Sequence, residues 1–223
     1  MYIPLSRPDV TESEIQCVVE VLRSPDLALG PTLGRFEETF AGYLGRRRAV
    51  AVNSGTSGLH LSLLALGIGP GDEVITTPFT FIASATSIMM TGARPVFVDI
   101  DSDSLNLDPG RIEAAITGRT KAILPVEIFG NPAGFAEIRD LAERHCLPVV
   151  EDSCEALGSA LHGRKAGTFG TIATFGFYPN KQITTGGRHD RNGPGRSGGP
   201  VRLAPQPGPR RVRRLAKPHP LGL

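Results

Sequence analysis

Short apolar runs alternate with amphipathic stretches along the first 187 residues. The apolar runs are rich in β-branched residues and predict strands at 48–53, 73–77, 95–98, 122–126, 148–150 and 172–177. Helical periodicity is found at 11–23, 33–44, 56–66, 80–91, 109–117 and 133–145. Continuous apolar strands that alternate with helices are typical of a mostly parallel sheet with helices on both faces. The pattern therefore predicts an α/β protein with three layers, αβα.

Three of the helices have recognisable start signals. Thr11 and Glu14 have the spacing of a capping box, in which each side chain binds a free N–H group at the helix start. The pairs Asp108-Pro109 and Asn131-Pro132 place a capping side chain before a proline, which favours helix starts at these points.

The residues after Gly187 follow neither pattern. Between Arg188 and Leu223 there are seven prolines and six glycines, so the sequence predicts disorder. This tail has a net charge of +8, whereas residues 1–187 have a net charge of −6. We therefore expect a folded domain at 1–187 and an Arg-, Pro- and Gly-rich tail at 188–223.

One lysine follows the last apolar run of the folded part. Lys181 lies among proline, asparagine and glycine, just after the predicted strand at 172–177. Ligands bind at the carboxyl ends of the strands in parallel α/β sheets. A lysine there can form a Schiff base with a carbonyl compound and then move protons, although a solvated surface lysine gives the same sequence pattern.

The first predicted strand leads directly into a helix through a turn rich in glycine and hydroxyl groups. Gly55 permits a tight turn, Thr56 and Ser57 offer hydroxyl groups, and the N–H groups at the helix start can bind an anion. No Gly-Lys-Ser/Thr follows, so the turn is not a P-loop. The alternative is an ordinary helix capped by serine or threonine.

Two acids follow the neighbouring apolar run. Asp152 ends a predicted buried strand, where an unpaired carboxylate is costly. It can form a structural ion pair or bind the ring nitrogen of pyridoxal phosphate. Glu155 can reach the phenolic oxygen of that cofactor or face solvent. Phe81 can lie against the pyridine ring, with Phe79 as the competitor and a core role open to both.

Composition narrows the class of protein further. A chain of 223 residues with 40% hydrophobic residues can form the core of one or two domains. No apolar run reaches the roughly 18–20 residues of a membrane span, and the start of the chain lacks a signal-peptide pattern. The three cysteines lack metal-binding spacing. We therefore expect a reduced, cytoplasmic protein with neither a metal site nor a membrane partner.

With these residues in place, the chain resembles the DegT/StrS family of nucleotide-sugar aminotransferases, which are fold-type I pyridoxal-phosphate enzymes. The resemblance extends from Ile3 to Gly186. Its landmarks are the segments 53–56, 77–81, 95–99, 151–152 and 177–181.

The resemblance implies a role for each candidate residue. Lys181 would form the Schiff base with pyridoxal 5'-phosphate, and Asp152 would bind the pyridine nitrogen. Glu155 would lie near the phenolic oxygen, and Phe81 would stack on the ring. Gly55 and Thr56 would hold the phosphate.

The resemblance also implies a reaction. A homodimer would transfer an amino group from an amino acid, with L-glutamate as the expected donor, to a keto-sugar attached to a nucleotide. Sugar-dehydratase relatives have histidine in place of the lysine, so Lys181 favours the aminotransferase. Two positions depart from the family pattern: Gly176 replaces a phosphate-binding serine found in many members, and Glu127 replaces a histidine.

The tail departs from the family completely. If the codons are read one base out of phase from Gly187, segments similar to the family can reappear, beginning with Gly-Gly-Met-Ile-Val-Thr. This indicates a frameshift near Gly186. In the family, the residues after the lysine form an antiparallel strand between the first and sixth strands, followed by a small domain. We therefore expect the 223-residue product to be incomplete and inactive.

Two other functions fit parts of the sequence. A non-catalytic pyridoxal-phosphate-binding or regulatory protein would carry the same cofactor residues. A nucleic-acid-binding protein could use the basic tail to hold phosphates. The tail has no aromatic residues to stack on bases, however, which argues against a nucleic-acid partner.

Overall fold

Five parallel strands form the central sheet in a computed structural model of the chain, which describes residues 9–185. Strand β1 (Glu73–Thr76) lies between β2 (Arg94–Phe97) and β3 (Thr120–Leu124). Strand β4 (Val150–Asp152) joins β3 through two isolated bridges, and its other side pairs with β7 (Ile172–Thr174). The order across the sheet is therefore β2-β1-β3-β4-β7. A small antiparallel hairpin, β5 (Ala160–Leu161) and β6 (Arg164–Lys165), lies between β4 and β7 in the sequence.

Six α-helices accompany the sheet in the described part of the chain. They are α1 (Glu12–Arg23), α2 (Pro31–Leu44), α3 (Gly55–Ala65), α4 (Ala83–Met90), α5 (Pro109–Ala115) and α6 (Phe135–Arg144). A 3₁₀ turn covers Ile128–Gly130. Within residues 9–185, no helix has both the length and the apolar character needed to cross a membrane.

Two apolar clusters on opposite faces of the sheet define the three layers. On one face, Leu59 and Leu63 of α3 and Ile88 of α4 pack with strand residues such as Val74 and Leu124. On the other face, helices α5 and α6 pack against the sheet; the buried residues there include Ile75, Ile112, Ile123, Ile138 and Leu141. Because both faces are covered, the central strands β1 and β3 are buried along almost their whole length, as parallel strands usually are. The predicted αβα architecture is confirmed.

Two of the three predicted helix starts are confirmed and one is wrong. The Thr11–Glu14 capping box is present, and the Asp108 side chain accepts a hydrogen bond from the Gly110 N–H group (2.9 Å). The start predicted at Asn131-Pro132 is not there, because the Asn131 side chain instead closes a turn by accepting from the Ala133 N–H group (3.1 Å). Helix α6 begins at Phe135, after Gly134 in the left-handed conformation (φ 82°).

The prediction of a strand at 48–53 is also wrong, because the structure has no strand there. The segment precedes α3 but pairs with no strand among the described residues. The Ala51 N–H group donates instead to the Glu37 carboxylate (2.8 Å). An apolar β-branched pattern makes a strand only where a neighbour supplies backbone hydrogen bonds. The predicted disorder of residues 188–223 lies outside the described residues.

Candidate active site

The carboxyl ends of β4 and β7 lie side by side with the start of helix α3. The Ser153 N–H group donates to the Thr174 carbonyl oxygen (2.9 Å), which joins the two strand ends. Gly58 brings α3 close to them, since a β-carbon at this position would lie 2.7 Å from the Thr174 methyl group. The predicted turn, acid and lysine segments therefore meet at one edge of the sheet.

Lys181 and Glu155 form an ion pair at this edge. Their side chains are 2.9 Å apart from Nζ to Oε1, and the lysine side chain is only 17% exposed. A turn places the lysine, because its N–H group donates to the Tyr178 carbonyl oxygen (2.9 Å). The Gln182 side chain donates to the Glu155 carbonyl oxygen. The lysine amine is thus held in one direction by a carboxylate rather than free in solvent.

Asp152 is buried at the end of β4. Its Oδ2 atom accepts from the Ser84 hydroxyl group of α4 (2.8 Å), and its Oδ1 atom from the Cys154 N–H group (3.3 Å). Burial raises the pKa of Asp152, while these donors and the nearby charge of Lys181 lower it. A carboxylate this deeply buried is suited to bind a cationic group such as a protonated ring nitrogen.

The start of α3 offers free hydrogen-bond donors. Ser54 is the N-cap, and its Oγ atom accepts from the Ser57 N–H group (3.1 Å). The N–H groups of Gly55 and Thr56, in the first turn, have no partner within the helix. The Ser57 hydroxyl group lies 3.0 Å from the Ser54 hydroxyl group. The backbone of the first turn, rather than the Ser57 side chain, is therefore the better candidate for holding an anion.

Cys154 fills the space between α3 and the segment after β7. A β-carbon on Gly55 would lie 2.9 Å from its Sγ atom, and one on Gly176 would lie 3.2 Å from its Cβ atom. Glycine at 176 therefore accommodates the cysteine where a serine would be crowded. Burial raises the pKa of the Cys154 thiol, with further increases from Asp152, so the thiol stays protonated.

The predicted aromatic residues lie on the turn before α4. Phe81 is 75% exposed, and Phe79 pairs edge-on with Phe129, the ring centroids being 6.3 Å apart. The Thr80 and Ser84 hydroxyl groups are 2.9 Å apart, which ties this turn to the partner of Asp152. The Phe81 ring is thus free to contact a ligand, and its stacking role stays a prediction.

Ser84 and Glu127 take part in the site region, and their roles did not emerge from the sequence. Ser84 could have been suspected, because it lies one helical turn after Phe81. Glu127 was distinguished only as a departure from the family pattern. Its side chain is fully buried, and neither carboxylate oxygen has a hydrogen-bond partner of ordinary geometry among the described residues. No sequence pattern reports a missing partner.

The sequence of this chain is similar to those of known proteins. A profile of the DegT/DnrJ/EryC1/StrS aminotransferase family matches residues 8–187, which is most of the chain. The chain belongs to this family. Its fold is accordingly that of the fold-type I aminotransferases, which its structural neighbours share.

Two curated family members illustrate the similarity. The spore coat polysaccharide biosynthesis protein SpsC of Bacillus subtilis is 46% identical over 185 residues, covering 83% of this chain and 48% of its own length. GDP-perosamine synthase of Caulobacter vibrioides is 45% identical over 185 residues, covering 82% of this chain and 50% of its own length. The chain thus spans about half the length of these relatives.

Solved structures in the family agree. An aminotransferase from Psychrobacter cryohalolentis is 41% identical with a TM-score of 0.79, over 82% of this chain and 47% of that one. The PLP form of a Streptococcus pneumoniae protein described as a sugar aminotransferase is 36% identical with a TM-score of 0.78, over 82% and 50%.

The residues present fit pyridoxal phosphate, the cofactor named for that last structure. The buried Asp152 carboxylate suits the ring nitrogen, and the open first turn of α3 suits the phosphate. Lys181 supplies a primary amine at the same edge. Gly55 carries no side chain, and a β-carbon at this position would lie 2.9 Å from the Cys154 Sγ atom.

Proposed function

We propose that this chain is the cofactor-binding part of an aminotransferase that uses pyridoxal 5'-phosphate. The proposed reaction moves an amino group from an amino acid, with L-glutamate as the donor, to a keto-sugar linked to a nucleotide. The observation that carries the proposal is the buried acid Asp152 at the same strand ends as the ion-paired Lys181. The names of the matched relatives, among them GDP-perosamine synthase, support a sugar nucleotide as acceptor.

Pyridoxal phosphate, when bound, supplies an aldehyde that takes up the amino group and a ring that withdraws electrons. Asp152 would hold the ring nitrogen in its protonated form. The Ser84 hydroxyl group and the Cys154 N–H group fix the direction of the Asp152 carboxylate. The N–H groups of Gly55 and Thr56 would bind the phosphate at the start of α3, with Ser57 beside them.

Lys181 would act as nucleophile and then as proton carrier. Its pairing with Glu155 holds the amine in place before reaction. For nucleophilic attack the amine must lose a proton, and the Glu155 carboxylate, 2.9 Å away, is placed to accept it. Glu155 would then be free to face the phenolic oxygen of the ring. Phe81 would cover the ring from the turn before α4.

The proposed organisation of the chain follows from its length relative to the family. Residues 1–187 would form part of the large, cofactor-binding domain, and residues 188–223 a tail produced by a frameshift near Gly186. The matched relatives are about twice as long, and the intact design would be a homodimer. We propose that the 223-residue chain binds the cofactor but does not complete amino transfer. Sequencing the gene tests the frameshift directly, since stop codons in the shifted frame would exclude it.

Spectroscopy with amino-acid donors tests the function. A frame-corrected, full-length protein would show the visible absorbance of lysine-bound pyridoxal phosphate. We expect L-glutamate to remove that absorbance and a keto-sugar nucleotide to restore it, and we expect a K181A variant to do neither. A full-length protein that binds the cofactor without reacting with any donor would indicate the alternative, a non-catalytic or regulatory protein. The 223-residue chain should show no turnover, and an active dimer of it would contradict the proposal.

A further inference from the structure

Glu127 is the most isolated acid in the described part of the chain. It lies shortly after the end of β3 at Leu124, its side chain is fully buried, and both carboxylate oxygens lack a hydrogen-bond partner of ordinary geometry. The neighbouring Ser153 hydroxyl oxygen is equally buried and also lacks such a partner. An ionised carboxylate in such surroundings would be unfavourable, because burial removes its hydration and the Ser153 hydroxyl group and the Gly167 N–H group compensate for only part of that loss.

The charged groups that act on Glu127 make ionisation still less favourable. They are Glu151 and Asp152 of β4, both acids, and both raise the pKa of Glu127. Arg46 is directed at Glu151: it donates to the Gly167 and Gly170 carbonyl oxygens, lies 3.6 Å from the Glu151 carboxylate and lowers the pKa of Glu151. Arg164, on β6, also acts on Glu151. Burial, with these two acids, raises the pKa of Glu127 to about 8, although the Ser153 hydroxyl group and the Gly167 N–H group act in the opposite direction.

The backbone of Glu127 connects this buried acid to the candidate active site. Its N–H group donates to the Asp152 carbonyl oxygen (3.1 Å), and its carbonyl oxygen accepts from the Gly130 N–H group (3.0 Å). The 3₁₀ turn that Gly130 ends also includes Phe129, whose N–H group donates to Glu155 (3.2 Å). Glu127 therefore lies between the acid proposed to bind the ring nitrogen and the acid that holds Lys181.

We propose that Glu127 is a positioning residue that is held as the neutral carboxylic acid. The neutral side chain does not repel the buried acids of β4, so the backbone contacts that lead from Glu127 to Asp152 and Glu155 keep both acids in place for the cofactor. Loss of the proton would add a third buried negative charge close to the two acids of β4, Glu151 and Asp152. The burial of Glu127 and the lack of ordinary hydrogen-bond partners support the neutral state, whereas the link to the cofactor rests on the proposed function.

Infrared spectroscopy of the whole 223-residue chain tests the neutral state directly. A protonated, buried carboxyl group gives a C=O stretching band separate from those of amides and carboxylates. In the difference spectrum between the wild-type chain and E127Q at about pH 6, we expect one such band. E137Q, the same change on the exposed face of α6, is the control and should give no band. If the amide does not fit, E127M removes the carboxyl group at similar length.

A pH series extends the same test. As the pH rises through about 8, the band should disappear, and urea unfolding of the wild-type chain should respond differently from that of E127Q. Between about pH 5.5 and 7, the folded wild type should bind about one proton more than its unfolded state at position 127, and E127Q should lack this difference. A difference spectrum without the band, or equal pH slopes for the two proteins, would overturn the proposal.

The cofactor link has a separate readout. If Glu127 positions Asp152, the pyridoxal-phosphate affinity of the wild type should fall several-fold between about pH 6.5 and 8.5 while that of E127Q changes less. A band that is present together with equal affinity profiles would confine Glu127 to the fold and remove its positioning role. Failure of both proteins to bind the cofactor, with the band present, would count against the proposed function and not against the neutral acid.

Discussion

A glutamate is buried at each end of the central sheet, and the two glutamates differ in their hydrogen-bond partners. At the amino ends of the strands, Glu73 accepts hydrogen bonds from Arg94 (2.6 Å), Arg119 (2.6 Å) and Thr117 (2.7 Å), although it is almost fully buried. At the carboxyl ends, Glu127 is equally buried and lacks such partners among the described residues. A buried glutamate therefore has charged hydrogen-bond partners at the amino ends of the strands and lacks them at the carboxyl ends.

The pKa values express this difference. The hydrogen bonds from Arg94, Thr117 and Arg119 lower the pKa of Glu73 to about 2, whereas burial raises that of Glu127 to about 8. Burial also raises the pKa of Glu151 to about 7. Acids whose pKa is raised by burial are therefore concentrated at the end where Lys181 and Asp152 lie. Perturbed acids of this kind mark functional sites more often than structural ones.

The pH dependence of stability should separate the two glutamates. Glu127 has a raised pKa, so its contribution is complete below about pH 4.5 and is lost as the pH rises through about 8. We expect this loss to be on the order of 3 kcal/mol between pH 5 and 8. Glu73 has a lowered pKa, so its contribution is present above about pH 4.5 and is lost as the pH falls toward 2.

Urea unfolding across pH measures both effects. E127Q should flatten the loss above pH 5 and leave the loss in acid unchanged, and E73Q should do the reverse. If both variants changed the same part of the pH profile, the contrast between the two ends of the sheet would be wrong.

Removing Arg94 and Arg119 should leave Glu73 with few hydrogen-bond partners, as Glu127 is at the other end of the sheet. In R94A/R119A, Glu73 keeps only the Thr117 hydroxyl group of its three side-chain partners, and its pKa should rise toward the ordinary value of a glutamate. We expect the urea midpoint to fall by roughly 1 M at pH 7. R111A/R139A, which removes two arginines paired with more exposed acids, is the matched control and should change the midpoint far less. Equal falls in the two double variants would show that Glu73 is not specially dependent on its partners.

Ser84 is the side chain that compensates Asp152 at the carboxyl end. S84A removes a hydrogen bond to a buried carboxylate, so we expect a loss of about 1.5–2 kcal/mol at pH 7. S87A, on the same helix but bound to a backbone carbonyl oxygen, is the control and should cost about 1 kcal/mol or less. Pyridoxal-phosphate affinity should fall in S84A and not in S87A, and equal affinities would contradict the assignment of Ser84 to the site.

The Cys154–Gly176 contact gives the smallest effect. G176S should cost about 1 kcal/mol, because its side chain would crowd Cys154. C154A removes the thiol that the new serine side chain would crowd, so C154A/G176S should recover most of that loss. We expect a coupling energy between the two substitutions of about 0.5 kcal/mol or more. Additive effects in the double-mutant cycle would show that the two positions do not share space.

Much of the architecture was predictable because it depends on local patterns. The apolar periodicity predicted five of the observed strands and all six helices, and the αβα layers followed from their alternation. The strand at 48–53 failed because strand formation needs a partner, and none pairs with it among the described residues. The helix start at Asn131 failed because its side chain forms a turn as readily as a cap.

The candidate site was predictable only in part. Asp152 and Lys181 were distinguished by their positions after apolar strands, a rule of the fold. The pairing of Glu155 with Lys181 and the bond from Ser84 to Asp152 join residues 26 and 68 positions apart, which no local pattern reports. The isolation of Glu127 could not be predicted, because it depends on the absence of hydrogen-bond partners around its side chain in the folded structure.

The central claim is that Lys181 is the residue that captures the cofactor aldehyde. The 223-residue chain can be incubated with pyridoxal phosphate, reduced with borohydride and digested, and its four lysines, at 121, 165, 181 and 217, compared by peptide mass spectrometry. We predict that the label is found predominantly on Lys181, that K181R abolishes it there, and that D152N weakens it. Label spread evenly over the four lysines, or found mainly on Lys165, would contradict the account.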